Sequence, residues 1–292
     1  HHFTSSNWLR TAGIETSAKQ FSILKDLQYQ KFQAGVYMDF KLKPLHKKLK
    51  FQVNIISINN DKSSPTYFQQ ALLSFKDISQ IHPFEINLKA ERGPAHYKLE
   101  FEGKTHLNYN KRKGLDIRLF AGTMDYFPGK VTYLANFRLA GNSNISDYLY
   151  DLTLFNRSVY MSDYHKLGAR QFEPNQGGFT LYTPVQSKHM LSLNLNSTTP
   201  LPVLRVYANF AIIPELYKAK SFYGNKVLFD TGVELQIIKD IFEIYFPVIA
   251  SQDLMEINKN LYSENYFQRI RFRLSLNLAN PWDLRFKNHL FY

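Results

Sequence analysis

Apolar and polar side chains alternate along most of this chain. In the segment RIRFRLSLN, Ile270, Phe272, Leu274 and Leu276 fall on every second position, and Leu278 continues the series. Arg269, Arg271, Arg273, Ser275 and Asn277 stand between them. A period of two marks a β-strand with one apolar and one polar face. The same pattern recurs at 8–21, 32–42, 83–90, 96–109, 114–122, 133–141, 190–196, 203–212, 227–238 and 241–250, and more weakly at 51–58 and 67–75. Only 252–262 has a helical period, and it is expected to be too short to matter.

Many of these segments are longer than the strands of soluble sheets, which average about 5–6 residues. A tilted membrane strand needs about 9–11. Links are unequal as well: 91–97, 196–203 and the turn around Lys239-Asp240 are short, whereas 141–189, 213–226 and 251–267 are long. Short turns at one end and long loops at the other describe an outer-membrane barrel. The pattern predicts a transmembrane antiparallel up-and-down β-barrel of 12–14 strands over residues 1–280. Its long extracellular loop is 141–189 and its periplasmic tail 281–292, with Trp282 and Phe286 at the interface. The other reading is a soluble β-sandwich with its leucines in a core and its arginines in water.

Composition narrows the choice slightly. Mean hydropathy is −0.34, which argues against spanning helices but not against a barrel, whose alternating strands average out as polar. With no cysteine, disulfides, thiolate zinc sites and a Cys nucleophile are excluded. The chain begins at His1, without a Met or a signal peptide, so it is expected to be a mature form or a fragment. A net charge of +12 fits anionic lipid, lipopolysaccharide or nucleic acid. The densest basic group, KPLHKK at 43–48, comes with no nucleic-acid module, so nucleic acid is not an expected partner.

On the polar faces, opposite charges recur at matching positions. Asp230, Glu234 and Glu243 are expected to meet Arg269, Arg271 and Arg273 across neighbouring strands, filling the lumen with paired charge. Ile270, Phe272, Leu274, Leu276 and Leu278 are then expected to face lipid. The 141–189 loop carries Tyr148, Tyr150, Phe155, Tyr160, Tyr164, Phe172 and Phe179, too aromatic for a solvated connection. It reads as a lid, a plug or a partner surface.

Catalytic candidates are thin. Ser187 with His189, or His165, suggests a lipid-hydrolysing rim, but no G-x-S-x-G surrounds the serine. Asp147, Asp151 and Asp163 are loop oxygens without EF-hand spacing. Gly177-Gly178 reads as a turn. No cofactor or metal is expected.

The segments GLDIRLFAG (114–122), FRLAGNSNISDYLYD (137–151), KVLFDTGVELQIIKDIFEIYFPVIAS (226–251) and RIRFRLSLNLANPW (269–282), in this order, resemble the C-terminal outer-membrane domain of large Bacteroidota proteins. Those proteins carry a zinc-aminopeptidase-like (gluzincin, HExxH) region in front. The resemblance covers about residues 97–282 and implies the barrel, an outer-membrane location and association with other envelope proteins. No His here is followed by Glu, so no HExxH exists and no catalytic or zinc position carries over. The expected role is a membrane anchor or a subunit of an envelope complex; the alternative is a transporter for peptides or other small solutes, gated by loop 141–189.

Overall fold

A computed structural model of the chain describes residues 2–3, 8–24, 27–60, 63–79, 82–110, 113–143, 146–152, 154, 167–214, 227–262 and 265–275. The chain is all-β with antiparallel pairing. Its strands are β1 (His2–Phe3), β2 (Leu9–Leu24), β3 (Leu27–Lys41), β4 (Lys47–Asn60), β5 (Ser63–Asp77), β6 (Phe84–Arg92), β7 (His96–Asn110) and β8 (Lys113–Tyr126). After a small pair, β9 (Phe137–Arg138) with β10 (Gln186–Ser187), come β11 (His189–Thr198), β12 (Leu204–Ile212), β13 (Leu228–Ile238), β14 (Phe242–Ala250) and β15 (Arg271–Leu274). Apart from β9 and β10, strand order follows sequence order, the up-and-down arrangement that alternation with short turns predicts. Among the described residues the sheet has thirteen strands, and β1 is only two residues long. No helix among them is long and apolar enough to cross a membrane, which says nothing of crossing by strands.

Contacts group the chain into two compact units, one of His1–Leu107 with Arg118–Asn136 and the other of Asn108–Ile117 with Phe137–Tyr292. Strands of the first unit are long: β2, β3, β5 and β7 have 15 or 16 residues. The turn joining β13 to β14 places Asp240 at φ 60°, a left-handed conformation that Asp tolerates. The Ile241 amide donates to the Ile238 carbonyl at 3.1 Å and closes that turn.

Two expectations are corrected. The alternating stretch 133–141 is not a strand of the main sheet. It forms a 3-10 turn at Tyr133–Ala135 and then β9. Its later backbone bonds stay within the long connection: the Leu139 amide donates to Val185, and the Phe179 and Gly177 amides donate to Leu139 and Arg138. Phe137 and Leu139 are fully buried, so the alternation there serves the core of the second unit rather than a sheet face. The second correction concerns 252–262, which forms helix α1 (Gln252–Tyr262). Leu254 and Asn258 of α1 are buried, and the Asn258 amide donates to the Tyr182 carbonyl at 3.1 Å. Eleven residues suffice because tertiary packing, not intrinsic propensity, holds the helix.

Candidate functional site

The two faces of the strands are buried in the reverse of the soluble order. In the first unit Phe32 is 51% exposed and Ile55 56%, while Lys31 and Lys98 are each 1% exposed. Val36, Leu88, Leu99 and Tyr67 are exposed with the former; Asn54, Gln70, Glu91 and His96 are buried with the latter. Register explains the grouping: Ala34 pairs with Ile55, Val36 with Val53, and Ala90 with Leu99, so the exposed apolar residues share one face. The second unit repeats it, with Val206, Phe210, Ile212 and Val248 exposed and Arg205, Asn209, Asp230 and Glu243 buried.

Charges on the buried face of the first unit are paired. Lys98 meets Glu100 at 3.2 Å, Lys89 meets Glu91 at 3.4 Å, and Arg118 donates to Glu102 at 2.6 Å. Glu91 also accepts from Gln70 at 2.9 Å and lies 3.1 Å from His96 Nε2. Asp39 accepts from Thr11 at 2.8 Å.

In the second unit the described part of the long connection lies on the polar face of β11–β13. Polar side chains at alternate positions of the strands take up its backbone groups. Ser192 Oγ donates to the Gln176 carbonyl at 3.0 Å and Asn194 Nδ2 to the Gly177 carbonyl at 2.9 Å. Asp230, with no exposed surface, accepts from the Thr180 amide at 2.9 Å, the Leu181 amide at 2.8 Å and the Thr180 hydroxyl at 2.7 Å. Its other oxygen accepts from Asn209 at 2.8 Å, and Asn194 donates to Asn209 at 2.9 Å, which joins β11, β12 and β13 in one polar row. The hydroxyls of Thr180 and Tyr207 are 2.6 Å apart. Irregular backbone is tolerated within a buried interior only when its amides and carbonyls are met in this way.

Aromatic rings frame the row. Tyr245 meets Tyr207 edge-on at 5.8 Å and Phe172 at 5.3 Å. The Arg271 guanidinium lies 3.9 Å from the Phe172 centroid and donates to the carbonyls of Ala140 and Thr180 at 3.2 and 3.4 Å. Gly232 leaves room for this packing: a Cβ there would sit 2.6 Å from the Tyr207 hydroxyl and 2.1 Å from the Phe246 carbonyl.

Among the six charges that the sequence nominates, Arg273 meets Glu243 at 3.4 Å, and also Glu173 of the connection at 2.6 Å and Asp240 of the β13–β14 turn at 3.3 Å. Asp230 instead binds the connection, and Glu234 accepts from Asn196 and from Gln236. Glu243 additionally accepts from Tyr245 at 2.7 Å. Arg269 lies in a 3-10 turn before β15. Asp116 pairs with Arg205, which also donates to Asn196 at 2.8 Å. Sequence reasoning missed Thr180, Asn209, Tyr207, Tyr245, Arg205 and Glu173. Period-two alternation puts Asn209 on the polar face of β12, but the long 213–226 link leaves its register against Asp230 unset; nothing in the sequence marks Thr180.

Of the other nominated residues, Phe272 and Leu274 are half-buried, and so are Ile270, Tyr148 and Tyr150. Phe172 is buried, and its amide donates to the Phe272 carbonyl at 3.0 Å, fastening the connection to β15. Leu276, Leu278, Phe155, Tyr160, Tyr164, Asp163, His165 and the 281–292 tail lie outside the described residues. Ser187 Oγ donates to the His189 carbonyl at 2.6 Å and accepts from the His189 amide at 3.1 Å, a backbone turn rather than a nucleophile facing an imidazole. Asp147 accepts from the Leu152 amide at 2.7 Å and the Asp151 amide at 3.2 Å. Among the described residues no group of three or more His, Asp or Glu is placed to hold a metal.

No protein-family model matches the chain, and no curated protein does. Among solved structures it is similar to BamA from Haemophilus ducreyi lacking POTRA domains 1–3, at 11% identity and a TM-score of 0.45, over 82% of this chain and 55% of that one. It is also similar to CdiB from Acinetobacter baumannii, at 10% identity and a TM-score of 0.34, over 83% of this chain and 44% of that one. The chain thus spans about half the length of each.

Proposed function

We propose that this chain is a membrane-spanning β-barrel of a Gram-negative outer membrane, serving as an anchor or as a subunit of an envelope complex. The observation that carries the reading is the inverted burial, with phenylalanine, isoleucine and leucine exposed on one face and lysine, aspartate and glutamate buried on the other. In water such a sheet leaves its apolar surface unsatisfied at about 25 cal/mol per Å². In lipid the same face is at home, and closure into a barrel is what leaves no strand edge in hydrocarbon. The polar face is then the interior.

Anchoring is favoured over solute transport because the connection is tied to that interior at many points: through Asp230 in mid-strand, through Arg271 and through Arg273 with Glu173. A gate has to leave its seat, and this one is seated by buried charge. The ordered segments that resemble the Bacteroidota peptidase-associated barrels suggest that the parent protein carries a peptidase-like region; an HExxH sequence ahead of His1 in the gene product tests that part directly. The partners proposed are outer-membrane lipid, lipopolysaccharide and other proteins of the envelope.

The test is reconstitution of the full chain into planar bilayers after fractionation. The expected result is recovery in the outer-membrane fraction, resistant to extraction without detergent, with no steady large conductance. Recovery as a detergent-free soluble protein overturns the membrane reading; a steady large conductance overturns the anchor and favours the transporter.

A further inference from the structure

Strand β15 has one edge on β14 and one edge turned away from it, and its pairing fixes which backbone groups lie on each. Phe242 stands opposite Leu274 and Tyr245 opposite Arg271, and the Ser275 amide donates to the Ile241 carbonyl at 2.9 Å. In an antiparallel ladder every second residue turns its amide and carbonyl to the partner. Arg271, Arg273 and Ser275 therefore turn theirs to β14, and Phe272 and Leu274 turn theirs outward. Both outward carbonyls are taken by the long connection. The Phe172 amide donates to the Phe272 carbonyl at 3.0 Å, and Gln171 Nε2 donates to the Leu274 carbonyl at 2.9 Å. The bridge of Gln171 with Phe272 is parallel, whereas β11 to β15 pair antiparallel. A side-chain amide thus does at Leu274 what a backbone amide does between neighbouring strands.

These two bonds hold the edge of β15, while other ties of the same segment hold its polar face. Glu173 meets Arg273 at 2.6 Å and accepts from Ser275 Oγ at 2.9 Å, and the Arg271 guanidinium is 3.9 Å from the Phe172 centroid. Face and edge have different fates in a membrane. Side chains on the polar face keep their partners in a closed interior. An edge in hydrocarbon needs a strand along its whole length, about 9–11 residues, and a bridge of this kind does not supply one. We propose that Gln171–Phe172 is a removable cap on the edge of β15, which covers that edge before insertion and yields it to a strand of the closed wall. A covered edge is also guarded against pairing with other chains, the usual hazard of an exposed edge strand. The proposal rests on the membrane reading. The seat at Asp230 and the tie of Glu173 to Arg273 stay in place when the cap leaves.

The experiment uses the full chain and follows insertion into phosphatidylcholine vesicles by the gel shift of heated against unheated samples. The chain has no cysteine, so Gln171→Cys with Phe272→Cys introduces a single thiol pair. Neighbouring strands lie about 4.8 Å apart, within the Cα separation of roughly 4.4–6.8 Å that a disulfide spans. Oxidised before insertion, this variant is expected to insert at least about tenfold more slowly than its reduced form, and reductant is expected to restore the rate. Ile244→Cys with Phe272→Cys joins β15 to its β14 partner, a pair that persists in the wall, and is expected to insert alike in both redox states. Gln171→Ala loosens the cap without a cross-link and is expected to insert about two- to threefold faster than wild type. A side chain needed only for packing slows insertion when it is removed. Equal rates for the oxidised and reduced cap variant, equal slowing of the β14–β15 pair by oxidation, or slower insertion of Gln171→Ala overturns the proposal and leaves the membrane reading standing. Failure of the wild type to insert overturns the membrane reading and the proposal with it.

Discussion

Asp230 is the residue on which most of the second unit's polar interior turns. Four hydrogen bonds converge on a carboxylate with no exposed surface, three of them from the long connection. Asp230→Ala leaves the amides of Thr180 and Leu181 and the Asn209 side chain without their acceptor. At about 1–3 kcal/mol for each buried unsatisfied group, a loss of about 3–5 kcal/mol is expected. Urea unfolding of the purified chain measures it, and trypsin is expected to cut the connection of the variant at concentrations that leave the wild type whole. Gly232→Ala tests packing at the same place. Its methyl group has to displace the Tyr207 ring, or else the Phe246 carbonyl, and overpacking of this kind costs about 1–3 kcal/mol by the same measurement. Period-two alternation makes it legible that Asp230 points to the polar face. It carries no information on Thr180 and Leu181, because a contact 50 residues away in sequence, to backbone amides, requires no particular side chain in the donor.

Elements repeat that lesson in a different form. Strands β3 to β8 and β11 to β14 were readable because each face demands its own residue type at every second position. The stretch 133–141 has the same alternation and is not in the main sheet, since a pattern of buried and half-buried positions also suits an extended segment packed into a core. Helix α1 shows its period in the sequence but is too short to stand on propensity, and Leu254 and Asn258 hold it against the rest of its unit. The apolar face offers the sharpest test at this scale. Ile55→Arg places a charge on an exposed mid-strand position of β4. On a soluble surface the change is near neutral. On a lipid-facing strand it costs about 2–4 kcal/mol near the bilayer midplane. Folding into phospholipid vesicles, followed by the gel shift of heated against unheated samples, is expected to fail or to slow markedly for Ile55→Arg and to proceed for the polar-face substitution Gln52→Asn. Equal folding of both means that the apolar face does not meet lipid.

At the scale of the whole molecule, the up-and-down order follows from short links, and an interior of charge follows from alternation. What fills that interior did not follow from either. Loop 141–189 reads in sequence as a lid, a plug or a partner surface, and its stretch from Leu167 to Ser187 is bonded to strands of its own unit. The bilayer experiment gains a second arm from this: Asp230→Ala is expected to show intermittent openings where the wild type stays closed, as the connection loses its seat. The same tethers also carry a temporal consequence. Residues 176–182 precede β11–β15, the strands whose side chains hold them, along the chain. Their carbonyls and amides therefore find no seat until Ser192, Asn194 and Asp230 are in place, and β15 adds Arg271 on the Thr180 carbonyl and against Phe172. Assembly of this unit therefore couples the pairing of its strands to the seating of the connection. Shortening the connection thus acts on the rate of biogenesis before it acts on the finished wall.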